Sequence, residues 1–226
     1  VIIHGQSHKG STYHIAHMLA VKISEDIKEF FLPRDFGEFC VGCTKCFMES
    51  EKKCPHYEKI KPLTAAMDEA DVIILASPVY VYHVTGAMKA FLDHYGYRWM
   101  LHSPEESMFK KQGVCISTAA GAGMKSTNKD MMDSLFFWGV AKRYKYGVGV
   151  AAVDWNGVSE KKKRVIDKAT SVLASKIISN SRNVKPDIKI KGMFYVMRFM
   201  QKIIANPRDV RYWRAKGWLG NKRPWK

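Results

Sequence analysis

The first turn of the chain reads His4-Gly5-Gln6-Ser7-His8-Lys9-Gly10-Ser11-Thr12 and joins an apolar run, residues 1–3, to a segment with helical periodicity. Its two glycines allow a tight turn, and we expect Ser11 or Thr12 to cap the helix that follows. The free backbone N–H groups at the start of that helix then point at an anion. The pattern predicts a phosphate-binding loop, and the alternative is an ordinary strand-to-helix turn.

The composition of this loop favours an anion site but not the best-known nucleotide loops. Its hydroxyl, amide, imidazole and ammonium groups supply more donors than a turn requires. Its spacing matches neither the lysine-containing loop of NTPases nor the G-x-G-x-x-G of dinucleotide-binding folds. ATP and a Rossmann-type NAD site are therefore disfavoured.

Five segments have the composition of buried strands, each short, apolar and followed by a turn. They are residues 1–3, 27–32, 71–76 and 114–117, and a fifth segment in which Val148, Val150 and Ala152 alternate with other residues. Residues 71–76 are apolar after the first position, which is typical of a central strand covered on both faces.

Helical periodicity separates these strands. It begins near residues 11, 60, 84 and 131, and Ser159 is predicted to cap a last helix carrying Val165, Ala169, Val172, Leu173 and Ile177. Five alternations of strand and helix predict an α/β fold, a parallel sheet with helices on both faces. Residues 33–56 show no period and are predicted to form a long functional loop.

Three loops are predicted to leave the carboxyl ends of neighbouring strands. They are residues 5–12, 77–82 and 117–123. In open parallel sheets, ligands bind beyond these ends at the point where the strand order reverses. All three loops have the character of ligand loops, so we expect them to form one ligand site.

The composition describes a globular protein with a basic end. The chain has 226 residues, 46% of them hydrophobic, and a formal net charge of +16. We expect one main domain over residues 1–182 and a basic helical extension over residues 183–226, whose only acids are Asp187 and Asp209. No apolar run reaches the roughly 20 residues of a transmembrane helix, and we expect a cytoplasmic protein with no transmembrane segment.

With these motifs in place, the sequence resembles the flavodoxin-like NAD(P)H-dependent FMN reductase family, particularly its branch related to iron-sulfur flavoproteins. The resemblance covers roughly residues 1–180. The phosphate loop carries it, together with Ser77-Pro78-Val79-Tyr80-Val81-Tyr82 and the cysteine cluster that begins at Cys40. It implies a doubly wound five-stranded sheet in the order 2-1-3-4-5, bound FMN, and NAD(P)H as co-substrate.

The resemblance also implies which residues contact FMN. The family's usual Gly-Ser-x-Arg reads Gly5-Gln6-Ser7-His8 here, so backbone groups and the hydroxyls of the helix start are expected to hold the phosphate. The ring is expected along the second and third loops, where small residues allow close backbone approach. The implied FMN contacts are Gln6, Ser7, His8, Gly10, Ser11, Thr12, Tyr13, Pro78, Val79, Tyr80, Val81, Ser117, Thr118, Ala119, Gly121 and Gly123. No residue is predicted to be catalytic, because the flavin performs the chemistry.

Four of the five cysteines form one cluster. Successive members are separated by two, two and seven residues, and Pro55 follows the last: they are Cys40, Cys43, Cys46 and Cys54. This spacing is similar to that of bacterial ferredoxins and would allow a [4Fe-4S] cluster. The alternatives are free thiols or occasional disulfides, while zinc fits less well. Cys115 is predicted to be a buried, small apolar residue.

The extension contains an apolar stripe with basic residues interspersed. The stripe comprises Met193, Val196, Met197, Met200, Ile203 and Ile204. One interpretation is a helix packed on the domain or on a second subunit, and the other is a basic amphipathic helix on a membrane surface. Residues 209–213 predict a further short helix. We expect a homodimer, for which residues 96–111 and the extension are candidate surfaces, and no nucleic-acid motif is present.

Three functional hypotheses follow. The first is an FMN-dependent NAD(P)H oxidoreductase that passes reducing equivalents to a small acceptor, which could be a quinone, a flavin, a metal ion or an electron carrier. The second is an electron-transfer protein that holds both FMN and a [4Fe-4S] cluster. The third, of a different class, is a non-catalytic module whose basic extension binds an anionic partner.

Overall fold

The structure is a computed structural model, and it describes residues 1–203 and 206–226 of the chain. Its core is a sheet of five parallel strands in the order β2-β1-β3-β4-β5. The strands are β1 (Ile2–His4), β2 (Glu29–Phe31), β3 (Val72–Pro78), β4 (Gln112–Ala119) and β5 (Lys142–Gly149). The predicted fold class, strand order and central strand are confirmed.

Eight α-helices surround or follow the sheet in the described part of the chain. They are α1 (Ser11–Val21), α2 (Lys45–Met48), α3 (Tyr57–Glu69), α4 (Gly86–Asp93), α5 (Met124–Phe137), α6 (Glu160–Ser181), α7 (Ile188–Ile203) and α8 (Pro207–Ala215). Short 3₁₀ helices occupy Glu51–Lys53, Gly96–Arg98 and Glu106–Lys110. The loop predicted over residues 33–56 therefore contains one short α-helix and one 3₁₀ turn.

Each face of the sheet has its own apolar core. On one face, α3, α4 and α5 contribute Leu63, Phe91 and Leu135, which are buried with residues of β3. On the other face, α1 and α6 contribute Leu19 and Ile166, which pack against residues of β1, β3 and β4. This doubly covered sheet leaves its carboxyl edge open to loops from β1, β3, β4 and β5.

The fifth strand begins earlier than predicted. Val150 and Ala152 follow β5 rather than belonging to it, because the strand is formed by residues 142–149. Its first half carries Lys142, Arg143 and Lys145. These charged residues interrupt the apolar pattern by which a strand is predicted, and they are tolerated because β5 lies at the edge of the sheet. The predicted fifth strand is confirmed and includes Val148, but its expected continuation through Val150 and Ala152 was wrong.

The helix starts and faces show two further differences. Gly10, not Ser11 or Thr12, is the N-cap residue of α1. Ser159 does cap α6, its hydroxyl accepting a hydrogen bond from the Lys162 N–H. The predicted stripe of α6 is confirmed only in part: Ile177 is buried, as is Ile166, whereas Val165 and Val172 are exposed.

The C-terminal extension packs on the domain through aromatic residues. Phe194 of α7 stacks on Trp213 of α8 with ring centroids 4.9 Å apart. Both are fully buried with Trp218 and with Phe109 of the preceding domain. The short helix predicted at residues 209–213 is confirmed as part of α8, while Ile204 of the predicted stripe lies outside the described residues. The division of the chain at residue 182 stays a prediction.

Among the described residues, no helix combines the length and the apolar character that crossing a membrane requires.

Candidate functional site

The N-terminus of α1 is open to a ligand. Gly10 makes no side-chain cap, the first turn holds no acidic residue, and the first intrahelical bond runs from the His14 N–H to the Gly10 carbonyl. The backbone N–H groups of residues 11–13 are therefore free of helical partners. The Ser11 hydroxyl is buried and has no hydrogen-bond partner among the residues that the structure describes. Together these groups form a donor-rich site that suits an anion.

The rest of the phosphate loop is tied to its neighbours. The Ser7 hydroxyl donates to the Leu32 carbonyl at 3.2 Å, which anchors the loop beside β2. The Gln6 amide donates to the His8 ring at 3.0 Å and accepts from the Tyr80 hydroxyl at 3.2 Å. The side chains of Gln6 and His8 are thus arranged in one chain of hydrogen bonds that reaches the second loop.

The second loop contains a tight turn with an unusual backbone. Tyr80 and His83 exchange two backbone hydrogen bonds of 3.0 Å each, and the residues between them, Val81 and Tyr82, have φ angles of 48° and 66°. Two successive positive φ angles define a type I′ turn, which normally contains glycine or asparagine. Val81 is 93% exposed. Strained, exposed turns of this kind are concentrated at ligand sites.

The third loop packs against that turn. Gly123 has a φ angle of 98°, and a Cβ atom at this position would lie 2.5 Å from Val79 Cγ1. The Ser126 hydroxyl, in the first turn of α5, donates to the carbonyl of Tyr82. At Gly121, by contrast, a Cβ atom would have no neighbour within 4 Å among the described residues, apart from the adjoining residues of the chain. The second and third loops therefore meet closely at Gly123 and leave open space at Gly121.

Hydrogen bonds of three threonine hydroxyls connect the elements below the loops. The Thr12 and Thr118 hydroxyls share a hydrogen bond of 2.6 Å between α1 and β4. The Thr85 hydroxyl donates to the Gly5 carbonyl at 2.6 Å and accepts from the Met88 N–H at 3.1 Å, so it caps α4 and fixes the first loop at once. Sequence reasoning missed Thr85, although a threonine immediately before Gly86 and an apolar helix is a recognisable cap signal.

The structure brings most of the predicted residues to one edge, but Thr12 and Thr118 are buried and bonded to each other below the loops. The three loops meet there, joined through Gln6, Tyr80 and Gly123 as described. Ser117 instead lies fully buried beneath α5, where its hydroxyl donates to the Met124 carbonyl at 3.3 Å. Sequence reasoning also missed Asp130, whose carboxylate accepts bonds from the His83 ring at 2.9 Å and the Val84 N–H at 3.3 Å. Asp130 thereby anchors the strained turn to α5.

The four clustered cysteines line one small pocket. The pocket has a volume of about 80 Å³ and lies between the loop that follows β2 and the helices α3 and α4. Its thiols are all free, two of them exposed and two partly buried: Cys40, Cys43, Cys46 and Cys54. Burial raises the pKa of the Cys46 thiol, and the neighbouring Cys54, Cys40 and Cys43 raise it further. The four cysteines therefore share one pocket, and four thiolates are the usual ligands of a [4Fe-4S] cluster.

Two histidines complete this pocket. The ligand atoms of Cys54, His56 and His94 all lie within 4.8 Å of one another. The His94 Nδ1–H donates to the Ala90 carbonyl at 2.7 Å, so its Nε2 accepts from His56 Nδ1 at 2.9 Å. Burial lowers the pKa of His94. Sequence reasoning missed both residues, and only His56, two positions after Cys54, left a local signal.

The C-terminal extension contacts the loop that carries these cysteines. Arg208 of α8 donates to the Glu49 carbonyl at 2.9 Å and to the Ser103 hydroxyl at 2.7 Å. Phe47, next to Cys46, lies edge-on against His102 with ring centroids 4.7 Å apart. The extension thus holds the cysteine loop against residues 96–103 of the domain.

Comparison with known proteins agrees with this arrangement. Residues 1–154 match the model of a family described as NADPH-dependent FMN reductase. The chain is 27% identical over 184 residues to an iron-sulfur flavoprotein of Archaeoglobus fulgidus, a match that covers 80% of each protein. It is also 41% identical to an iron-sulfur flavoprotein of Methanocaldococcus jannaschii over 54 residues. This matched segment is 24% of this chain and 27% of that protein.

Solved structures show the same fold. An FMN-dependent NADH-azoreductase from Bacillus anthracis, in complex with FMN, superposes with a TM-score of 0.53 at 14% identity and covers 76% of this chain and 98% of its own. At that identity the likeness concerns the fold alone. The family match spans all five strands and the loops at their carboxyl ends. The chain therefore belongs to the NADPH-dependent FMN reductase family and is an FMN-dependent oxidoreductase with a flavodoxin-like fold.

Proposed function

We propose that this protein takes reducing equivalents from NAD(P)H, through FMN bound at the three carboxyl-end loops, and passes them to a small acceptor such as a quinone, a flavin, a metal ion or an electron carrier. The observation that carries the proposal is the uncapped N-terminus of α1, with the unpartnered Ser11 hydroxyl beside it within the described chain. Family membership supports FMN as the ligand.

In this proposal the phosphate group of FMN binds at the start of α1. The free N–H groups of residues 11–13 donate to the phosphate oxygens, and the helix dipole favours the negative charge. The Ser11 hydroxyl, buried and without another partner among the described residues, adds a hydrogen bond. Gln6 and His8 contribute less directly, because their side chains already bond to each other.

The flavin ring would lie between the second and third loops. Pro78, Val79 and the turn at Tyr80–His83 form one wall, and residues 119–123 form the other, with open space at Gly121. FMN itself supplies the redox chemistry, since it accepts a hydride and returns electrons singly or in pairs. The chain binds the ring, orients it and leaves one side accessible, and no side chain is assigned a catalytic role.

An anaerobic titration of the purified, FMN-loaded protein tests the proposal. We expect NADH or NADPH to bleach the flavin absorbance near its visible maximum, and an added quinone or free flavin to restore it. Failure to bind FMN, or a bound flavin that neither nucleotide reduces, would contradict the proposal. A colourless protein without oxidoreductase activity would instead support the non-catalytic module.

A second candidate function is favoured by the single pocket that the four cysteines share. In this second function, a [4Fe-4S] cluster is held by Cys40, Cys43, Cys46 and Cys54, and the protein transfers electrons singly between FMN and a partner. The donor set fits the cluster in chemistry and number, because four free thiols line one pocket. The two iron-sulfur flavoproteins that resemble the chain support this assignment.

Iron and sulfide assays on anaerobically purified protein separate the two candidates. If the cluster is present, we expect about four iron atoms per chain and a broad absorbance beneath the flavin bands. The Cys46→Ser variant should lose the iron and the broad absorbance. The matched control is Cys115→Ala, because Cys115 is buried in β4, away from the cysteine pocket. Flavin bands without iron would assign the cysteines as thiols and leave the NAD(P)H oxidoreductase proposal standing.

A further inference from the structure

The outer face of α7 carries an apolar stripe that nothing in the described chain covers. Ile188 is 85% exposed and Phe199 is 61% exposed, although both are large apolar residues. The other exposed members of the stripe are Tyr195, Val196 and Ile203. On a helical projection these residues fall within an arc of roughly 100°.

The stripe is distinct from the face that docks α7 on the domain. The docked face is formed by Ile190, Phe194 and Gln201, which are all buried. It lies on the opposite side of the helix, because its members are offset by about half a turn from the exposed stripe. The helix is therefore apolar on two sides, and only one of them is used by the fold.

Basic residues border the exposed stripe on both sides. Lys189 lies on one flank and Lys202 on the other, and both are exposed. The Arg223 guanidinium lies over the Tyr195 ring at 5.2 Å, which adds a positive charge beside the stripe. A helix with an apolar face and Lys or Arg along its borders has the pattern of an interfacial helix on an anionic bilayer.

The acids of the extension do not offset these charges. Asp187 pairs with Arg143 at 2.8 Å, and Asp209 is buried against His102 at 2.8 Å. No other carboxylate side chain occurs between residues 182 and 226. A second copy packed on this stripe around a two-fold axis would bring the same lysines together, and like charges disfavour that contact.

We infer that the outer face of α7 binds the surface of an anionic lipid bilayer, with its apolar stripe inserted at the interface and its lysines on the lipid head groups. Bare nucleic acid fits the charge but not the apolar stripe, and it explains nothing about Ile188 or Phe199. The inference is independent of the acceptor and of the cysteine cluster, because α7 carries neither.

Co-sedimentation of the full, flavin-loaded chain with vesicles tests the inference. We expect binding to vesicles of phosphatidylcholine mixed with phosphatidylglycerol, weaker binding at high salt, and no binding to pure phosphatidylcholine. Absence of binding to the mixed vesicles at low salt would overturn the inference.

Paired substitutions locate the binding face. Ile188→Ser with Phe199→Ser should weaken vesicle binding by at least about tenfold, because two exposed apolar side chains no longer leave water on binding. Lys189→Glu with Lys202→Glu should weaken it at low salt. The matched control is Val165→Ser with Val172→Ser, which removes two exposed apolar residues from α6 and should leave binding unchanged. An equal loss in the control would overturn the assignment to α7.

The alternative occupants give distinct results. A chain that is dimeric without lipid, and monomeric as Ile188→Ser with Phe199→Ser, would assign the stripe to a second copy. Salt-sensitive binding to duplex DNA that survives the same substitutions, with no vesicle binding, would assign the basic residues to nucleic acid. Either outcome would replace the bilayer with that partner.

Discussion

At the scale of single residues, Ser11 is buried at a helix start, and its hydroxyl has no partner in the described chain. We predict that Ser11→Ala weakens FMN binding by about tenfold, because a hydrogen bond to a charged group contributes about 1.5–3 kcal/mol. The substitution should leave the free energy of unfolding of the FMN-free protein unchanged or slightly higher. A fluorescence titration of FMN measures the affinity.

The control for this prediction is Ser24→Ala, which removes an exposed hydroxyl whose hydrogen bonds are local: it accepts from the Asp26 N–H and donates to the Asp26 carbonyl. Its FMN affinity should equal that of the unaltered chain. If Ser11→Ala also binds FMN with unaltered affinity, the hydroxyl does not face the phosphate, and backbone groups alone hold it.

The turn at Val81 and Tyr82 provides a second prediction at this scale. Replacing the pair by Val81→Asn with Tyr82→Gly should raise the free energy of unfolding by about 1–3 kcal/mol, because asparagine and glycine adopt positive φ angles with less strain. The same change should weaken FMN binding, since the side chains beside the proposed ring position are lost. Urea unfolding of the FMN-free protein and a flavin titration measure the two effects.

The control for the turn is Val153→Gly, because Val153 is fully exposed and its φ angle is not positive. No gain in stability is expected there, because glycine only increases the freedom of the unfolded chain. A less stable Asn-Gly turn would show that the positive φ angles of Val81 and Tyr82 are not a source of strain.

At the scale of elements, Thr85 connects α4 to the phosphate loop. We predict that Thr85→Val destabilises the protein by about 2 kcal/mol, because α4 loses its cap and the Gly5 carbonyl loses a buried donor. Thr85→Ser keeps the hydroxyl and should recover most of that stability, as measured by urea unfolding. Equal losses in both variants would assign the effect to the methyl group of Thr85 and its packing.

The elements that sequence predicts well are those whose burial is uniform. Residues 73–76 of β3 are apolar and buried in the centre of the sheet, so the apolar pattern alone was enough to predict them. β5 was misplaced because it lies at the edge, where Lys142 and Lys145 reach solvent and the apolar signal disappears. The stripe of α6 was right for Ile177, which is buried, but wrong for Val165 and Val172, because composition cannot separate an exposed valine from a buried one.

The candidate functional site was likewise predictable from the sequence only in part. The three loops were predictable, because the carboxyl ends of parallel strands must meet at one edge. Three long-range contacts were not, because each joins residues distant in sequence: Thr85 to Gly5, Asp130 to the Tyr80–His83 turn, and His94 to His56.

At the scale of the whole molecule, α8 fastens the cysteine loop to the domain through Arg208. We predict that Arg208→Met increases tryptic cleavage after Lys52 and Lys53 by about tenfold, because the loop opens more often when its bonds from Arg208 to the Glu49 carbonyl and Glu51 are lost. Time courses of proteolysis under native conditions measure the rate.

The control is Arg211→Met, since Arg211 is exposed on the same helix and its removal deletes the same charge. Its cleavage rate should equal that of the unaltered chain. A rise in both variants would trace the effect to the net charge of α8 rather than to the contacts of Arg208.

The two outer strands of the sheet have a consequence for aggregation. β2 is only three residues long, and β5 carries Lys142 and Lys145. A strand from another molecule would find too few backbone groups to pair with on β2 and would meet repelling charges on β5. The folded protein is thus protected against edge-to-edge β-sheet extension at both ends, and its concentrated solutions should resist fibril formation even though its sheet is open.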